Sequence, residues 1–317
     1  MEFNGQDVTR CQNITENPRK AIDYLSYLGL LNGLSDEQAV KLMWWVKTGK
    51  KLDLNNPRGF NEKLQWLKLY DRDPEYSKMA DKYLVKEYVA EKIGREHIIP
   101  TYGVWDNASE IDFDSLPDQF VLKCTQNSGG GMCVCPDKAA LHKEKAVKDL
   151  NRALKNDLSR VTREWPYKNV KPRVIAEEYV VDHDENNTYG FLIDYKFHCF
   201  NGEPKFLYIS TCDISEGRKG VVNMSFVDTD WNPTPFYRTD HDPVTITVKK
   251  PERFGEMKAI AEELSRGIPF VRVDMYSVND RILFSETTFT PGAGYGFFSP
   301  PEWEEKMGDW IVLSQNG

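Results

Sequence analysis

The stretch Pro269-Phe-Val-Arg-Val-Asp-Met-Tyr-Ser-Val-Asn-Asp-Arg-Ile-Leu-Phe-Ser-Glu-Thr-Thr-Phe-Thr-Pro-Gly-Ala-Gly294 decides how this chain is read. Apolar and aromatic runs on both sides of a short polar break predict two strands, Phe270 to Tyr276 and Ile282 to Thr288, joined by a turn at Asn279-Asp280. Side chains alternate along a strand. Arg272, Asp274 and Tyr276 therefore share one face of the first strand, and Glu286 and Thr288 share one face of the second. A three-residue loop, Asn279 to Arg281, sets Asp274 opposite Glu286. A two-residue turn puts the two carboxylates on opposite faces and removes the site. Like charges on facing positions repel, and a divalent cation bound between them converts that repulsion into a binding site.

Upstream, the chain changes texture twice. Residues 17–70 read as helical. Asn17-Pro18 supplies a cap and a first-turn proline, and Ser35-Asp-Glu-Gln38 has capping-box form. Asn61-Glu-Lys-Leu-Gln-Trp-Leu-Lys-Leu-Tyr70 is a third helix, with Leu64 and Leu67 beside Phe60. After the Asp71-Arg-Asp-Pro74 break, residues 80–89 are expected to be helical and to carry Lys82. From Gln119 strands take over. Phe120 to Lys123 and Met132 to Cys135 flank the glycine-rich loop Gln126-Asn-Ser-Gly-Gly-Gly131, a helix follows from Lys138 to Ser159, and Val174 to Val181 is a further strand. Gly190 to Phe200 and Pro204 to Ser210 form a hairpin around Asn201-Gly202, the strongest short-range hairpin signal. In its outgoing strand Asp194, Lys196 and His198 share one face, and Tyr195, Phe197 and Cys199 share the other. Phe254 to Arg266 is helical.

Composition narrows the function classes. The 317 residues carry a net charge of −8 without a basic run, which argues against a nucleic-acid partner. No apolar stretch is long enough to span a membrane, and the N-terminal residues lack the order of a signal peptide. The six cysteines are sparse and have no framework spacing. Reduced thiols in a cytoplasmic protein are expected, with Cys133 and Cys135 as neighbours on a packed strand. The five histidines form no triad or metal spacing.

The glycine loop lies between two strands, so it matches neither the dinucleotide fingerprint nor the P-loop, both of which feed a helix. Glycines between strands can make a flap whose amides close over phosphates, and Lys123 stands just before it. The strand end Glu177-Glu-Tyr-Val180 can present backbone groups to an adenine, with Asp184 following.

In order, these pieces resemble the ATP-grasp superfamily of carboxylate–amine ligases, and within it the TupA-like ATP-grasp family associated with cell-surface polysaccharide and teichuronopeptide assembly. The segments that carry the resemblance are Asn61 to Tyr70, Asp194-Tyr-Lys-Phe-His-Cys-Phe-Asn-Gly-Glu203 and Glu286-Thr-Thr-Phe-Thr-Pro-Gly292. The resemblance implies an α+β protein of ATP-grasp fold, two α+β subdomains clasping ATP, with a helical N-terminal region. Its boundaries are expected at 1–75 for the helical region, 76–118 for a connecting segment with the helix bearing Lys82, 119–181 for the small subdomain and 182–317 for the large one.

The resemblance also implies roles. Lys82 and Lys123 hold the ATP phosphates, and Ser128, Gly129, Gly130 and Gly131 form the flap. Glu177 or Glu178, with Tyr179 and Val180, line the adenine, and Asp184 meets the ribose. Lys196 and Arg272 face the γ-phosphate and an acyl-phosphate. Asp274 and Glu286 bind Mg²⁺, with Thr288 where many of these ligases carry an asparagine. Gly292 and Gly294 approach the reacting carboxylate through backbone amides, and Arg218 meets an anionic acceptor. The implied activity is ATP-dependent amide formation between a carboxylate and an amine, in association with a surface-polysaccharide assembly system. A phosphotransferase on the same fold and a non-catalytic ATP-binding module are the nearest alternatives. A metal-dependent glycosyltransferase, suggested by Asp182-His-Asp184, Asp228-Thr-Asp230 and Asp240-His-Asp242, is the rival from another class.

Overall fold

Alternating apolar and polar positions build the largest of the three antiparallel sheets among the described residues. In a computed structural model, residues 21–127, 131–183, 187, 192–212, 222–241 and 248–314 are described. The helices among them are α1 (Ala21–Tyr27), α2 (Asp36–Thr48), α3 (Phe60–Tyr70), α4 (Pro74–Ala80), α5 (Val85–Ile93), α6 (Lys143–Ala153), α7 (Leu158–Val161), α8 (Phe254–Ser265) and α9 (Glu302–Asp309). The strands are β1 (Thr101–Trp105), β2 (Phe120–Cys124), β3 (Met132–Cys135), β4 (Val174–Glu178), β5 (Asp194–Phe200), β6 (Glu203–Cys212), β7 (Val222–Asp228), β8 (Tyr237–Arg238), β9 (Phe270–Val278), β10 (Arg281–Thr288) and β11 (Phe298–Ser299).

The large sheet has the order β10-β9-β5-β6-β7. One of its faces is apolar: Tyr195, Phe197, Cys199, Leu207, Ile209, Val271, Val273 and Met275 pack against Met257, Ala261 and Leu264 of α8. Burial of that face is one source of the driving force for this half of the chain. The opposite face is divided. Towards one end, Phe200, Phe206 and Phe270 meet Phe60 of α3 and Met307 of α9 in an aromatic cluster. Towards the other end lie Asp194, Lys196, Arg272 and Asp274. The small sheet, order β1-β4-β2-β3, packs Phe120, Leu122, Val174 and Ala176 against Leu150 and Ala153 of α6. Its other face presents Lys123 and Glu177.

Helix α3 and helix α9 are closely joined. A Cβ on Gly308 would stand 1.9 Å from the Arg58 carbonyl oxygen, so only glycine fits there. Lys63 Nζ donates to the Ile311 carbonyl (2.9 Å), and Glu304 accepts from Asn61 Nδ2 and from the Phe298 amide.

Several expected elements are shorter or broken. The Ser35 capping box forms at the start of α2, and Asn201-Gly202 makes a two-residue turn with φ of 49° and 84°, the geometry that suits the twist of a hairpin. The helix expected from Lys138 to Ser159 is instead a 3₁₀ turn, α6 and the single turn α7. Asp157 interrupts it by capping α7. The strand expected to Val181 ends at Glu178. The helix expected over residues 80–89 begins only at Val85, so Lys82 lies in the turn between α4 and α5. Asp81 causes that break: its side chain takes the Tyr83 and Leu84 amides. Asn17-Pro18 lies outside the described residues.

Candidate active site

The hairpin corrects the sequence argument on one point. Its turn holds two residues, since Val278 pairs with Arg281, and Asn279 and Asp280 adopt φ of 50° and 59°. A regular ladder would then separate the carboxylates onto opposite faces. The register shifts between Phe284 and Glu286, and Glu286 pairs with Asp274 after all. Ser285 is the extra residue of a β-bulge, which resets the alternation by one.

The side chains on this face form one charged cluster. Asp274 is fully buried. Arg272 grips it with two donors, Nε to Oδ1 at 2.7 Å and Nη2 to Oδ2 at 2.5 Å, and Lys196 Nζ reaches Oδ2 at 2.6 Å. Arg272 Nη2 also approaches Glu286 Oε1 (3.2 Å) and Thr288 Oγ1 (3.0 Å), and Nη1 meets the Tyr208 hydroxyl (3.2 Å). Lys196 additionally pairs with Asp194. Lys82 Nζ lies 3.0 Å from Glu286 Oε2. Although burial opposes ionisation of Glu286, Lys82, Lys196 and Arg272 hold its carboxyl well below the usual carboxylate range. Asp194 behaves oppositely: burial outweighs the attraction of Lys196, and its carboxyl is pushed up to about 6. Burial works against the Lys196 charge, but Asp274 and Asp194 keep it protonated. Buried ion pairs of this kind add little net stability over apolar packing.

The small sheet brings the second group. Glu177 is buried between Lys123 Nζ (2.7 Å) and Lys86 Nζ (2.5 Å), and Lys86 also donates to Thr101 Oγ1 and the Ile99 carbonyl. Sequence reading missed Lys86, because a lysine inside a helical stretch carries no signal of its partner ninety residues on. Tyr276 and Glu286 act electrostatically on Lys123, so the polar faces of the two sheets lie near each other. Lys82 is placed with care. Asp81 is fully buried, takes Arg173 Nη2 at 2.8 Å, and fixes the turn that carries Lys82. The Lys82 amide donates to Thr125 at the root of the glycine loop (3.2 Å).

The segment after β10 is a left-handed turn. Gly292, Ala293 and Gly294 have φ of 60°, 54° and 71°. For Ala293 that conformation costs about 1–2 kcal/mol. Helix α3 holds it in place: Lys68 Nζ donates to the Ala293 carbonyl (2.6 Å) and Gln65 Nε2 to the Gly294 carbonyl (2.7 Å). Thr290 Oγ1 donates to Glu164.

Of the remaining expected residues, Gly131 has φ of 66° and leads into β3. Tyr179 and Val180 follow the end of β4, and the Glu178 amide donates to Pro100 (3.0 Å). Ser128, Gly129, Gly130, Asp184 and Arg218 lie outside the described residues. His198 is buried and stacked on Phe206 with centroids 4.4 Å apart. Burial and then Arg272 lower its pKa well below the ordinary value, so it is a packed neutral ring. Of the acidic triplets, Asp184 and Asp242 lie outside the described residues, and among the described ones Asp228-Thr-Asp230 builds no metal site. Asp228 takes the amides of Asp230 and Asn232 in a turn, and Asp240 pairs with Arg238. A cavity of about 730 Å³ lies away from the carboxylates, between β3, α6 and α7.

Asp274, Glu286 and Thr288 offer only oxygen donors, which suits a hard cation such as Mg²⁺. Among the described residues no three His, Cys, Asp or Glu side chains converge as a metal cage. A cation here would thus complete its shell with phosphate oxygens and water, as Mg²⁺ commonly does.

Residues 62–312 match the family described as TupA-like ATPgrasp. The chain belongs to that family. It is therefore an α+β protein of ATP-grasp fold. No curated protein matches its sequence. Among solved structures, D-alanine–D-alanine ligase from Helicobacter pylori is similar at 12% identity and a TM-score of 0.41, covering 81% of this chain and 71% of that one. The RimK-domain ATP-grasp protein of Sphaerobacter thermophilus aligns at 10% identity and 0.41, over 77% and 71%. D-alanine–D-alanine ligase from Bacillus anthracis aligns at 14% and 0.38, over 80% and 69%. These are distant likenesses, and the family assignment rests on the sequence match. Among the described residues no helix is long and apolar enough to cross a membrane.

Proposed function

We propose that this ATP-grasp protein activates a carboxylate with ATP and joins it to an amine, forming an amide. One observation carries the reading: Lys82, Lys196 and Arg272 converge on Asp274 and Glu286 at the polar face of the large sheet. A cluster of that kind neutralises and orients phosphates, which is most of what phosphoryl transfer asks of a protein.

In this reading residues 119–181 and 182–317 are the two subdomains of the clasp, 76–118 connects to them, and 1–75 is the helical region. The ATP phosphates lie against Lys82, Lys123 and the flap Ser128 to Gly131. Adenine meets Tyr179, Val180 and the Glu178 side, since the Glu177 carboxylate is already held by Lys86 and Lys123, and Asp184 meets the ribose. Asp274, Glu286 and Thr288 would hold Mg²⁺, which when bound would neutralise phosphate charge. Lys196 and Arg272 steady the transferring phosphoryl group and the acyl-phosphate that results. Backbone amides at Gly292 and Gly294 receive the carboxylate, and Arg218 meets an anionic acceptor. The amine then attacks the acyl carbon and phosphate departs. Family context points to a uronic-acid or peptide-conjugate substrate in surface-polysaccharide assembly, in the cytoplasm.

The test is an ADP-release screen over paired carboxylates and amines, with product mass measured. Release that requires both partners, with an amide of the summed mass less water, supports the reading. Release with a hydroxyl acceptor and a phosphorylated product would replace it by phosphotransfer.

A further inference from the structure

Helix α3 carries three polar side chains in a place where helices of this kind usually carry apolar ones. Asn61, Gln65 and Lys68 are all buried. Their spacing of four and three residues puts them on one face. All three donate to carbonyls of a single segment: Asn61 Nδ2 to Gly296 (3.2 Å), Gln65 Nε2 to Gly294 (2.7 Å) and Ala293 (3.3 Å), and Lys68 Nζ to Ala293 (2.6 Å). The Ala293 carbonyl is thus taken twice. In a planar trans peptide the following N–H points opposite to the carbonyl. Fixing the Ala293 oxygen on α3 therefore turns the Gly294 amide away from the helix. Contact is close as well: a Cβ on Gly294 would stand 2.4 Å from Gln65 Nε2.

We infer that helix α3 is the backing of the Pro291–Gly294 loop, and that Gln65 and Lys68 are positioning residues that set the direction of the Gly294 amide toward the carboxylate substrate. The helical region is then part of the catalytic unit rather than an appendage. This inference rests on the ligase reading for its kinetic consequence, though not for its structural one.

The surroundings of Lys68 give a second handle. Its ammonium also donates to the Thr162 carbonyl (3.2 Å) and lies 5.3 Å from the Tyr295 ring centroid. The charged groups that face it are Glu164 from the segment after α7, Lys47 from α2 and Asp23 from α1. Burial, opposed by Glu164, brings its pKa down to about 8. The bond to Ala293 is therefore strongest below that pH and weakens above it.

The experiment compares the unmodified chain with Lys68→Met, Gln65→Met and Lys68→Arg. Hydrogen exchange of residues 291–296, ATP affinity and, with a substrate pair that the unmodified chain turns over, kcat against pH are measured. Lys68→Met is expected to quicken loop exchange and lower kcat about a hundredfold, the scale of a small misplacement, with ATP affinity held. Gln65→Met, should Lys68→Met fold poorly, is expected to do the same more weakly. Lys68→Arg is expected to restore kcat and remove its fall above pH 8. Unchanged loop exchange, ATP affinity falling in step with kcat, or an alkaline limb that persists in Lys68→Arg would overturn the inference. If the unmodified chain turns over no carboxylate–amine pair, the ligase reading fails, while loop exchange still decides whether α3 holds the loop.

Discussion

Glu286 stands directly across from Asp274 although the turn joining their strands has two residues, and the bulge at Ser285 is what brings them together. The two carboxylates then share Arg272, whose Nη2 reaches both. They differ in burial. Asp274 has no exposed surface, while 29% of the Glu286 side chain is exposed.

That difference separates two otherwise similar substitutions. Asp274→Asn leaves Arg272 and Lys196 buried with only Asp194 and part of Glu286 to balance them, and should cost about 3 kcal/mol of stability, the lower end for a broken buried pair. Glu286→Gln should cost about 1 kcal/mol, nearer an exposed pair. Both should lower ATP turnover at least about a hundredfold, as loss of one charge-stabilising group does. Denaturant unfolding and ADP release measure the two effects, and equal stability losses with near-normal turnover would remove both carboxylates from the site.

Asp194 gives the site a pH signature. Its carboxyl is raised in the folded chain to about 6, against about 3.9 when unfolded. The native state therefore binds more protons between those values, and stability falls as pH rises through the window, by roughly 2–3 kcal/mol. Glu286 has the reverse sign: its pKa is depressed when folded, so its contribution is present above about 4.3 and is lost as pH falls further. Asp194→Asn should flatten the unfolding free energy between pH 4 and 6. A profile parallel to that of the unmodified chain would contradict the assignment.

Lys123 and Glu177 should not behave symmetrically. Lys123→Met removes one phosphate-facing cation, and Lys86 still pairs with Glu177. ATP affinity should fall about tenfold or more, the worth of a charged hydrogen bond, with little change in stability. Glu177→Gln instead leaves two lysines close together without their shared counter-ion, and should destabilise by about 3 kcal/mol. Nucleotide titration with thermal unfolding distinguishes them. The idea fails if Lys123→Met binds ATP normally.

Asp81→Ala tests the turn that carries Lys82. It removes the acceptor for two amides and for Arg173. A stability loss of about 2 kcal/mol is expected, from the two amides and the half-buried guanidinium left without their acceptor, together with weaker ATP binding as Lys82 loosens. Lost stability without any change in nucleotide affinity would show that Asp81 serves only the fold.

Much of this site was legible because strands alternate. Arg272 with Asp274, and Asp194 with Lys196, follow from a period of two. The hairpin turns announced themselves in Asn201-Gly202 and Asn279-Asp280. The bulge did not, because Ser285 has no residue type peculiar to bulges, and the rule that forbade the site was sound for a regular ladder. Helical periodicity over Ala80 to Val89 places Lys82 in a helix. The break comes from the Asp81 side chain competing for backbone amides, a choice settled by the distant Arg173. Lys86, Gln65 and Lys68 were unreadable for a related reason: each looks like an ordinary residue of an amphipathic helix until its partner arrives from far along the chain.

Helix α3 and helix α9 close on each other through Arg58, Gly308, Lys63 and Ile311. Neither end of the family region can therefore be trimmed alone. Shortening the chain past Phe60 uncovers Phe298 and Met307, and stopping it before Glu302 uncovers Phe60 and Leu64, which belong to the same cluster. The two truncations present one aromatic surface to water from opposite sides, and chains cut at either end should share a single failure, aggregation through that surface.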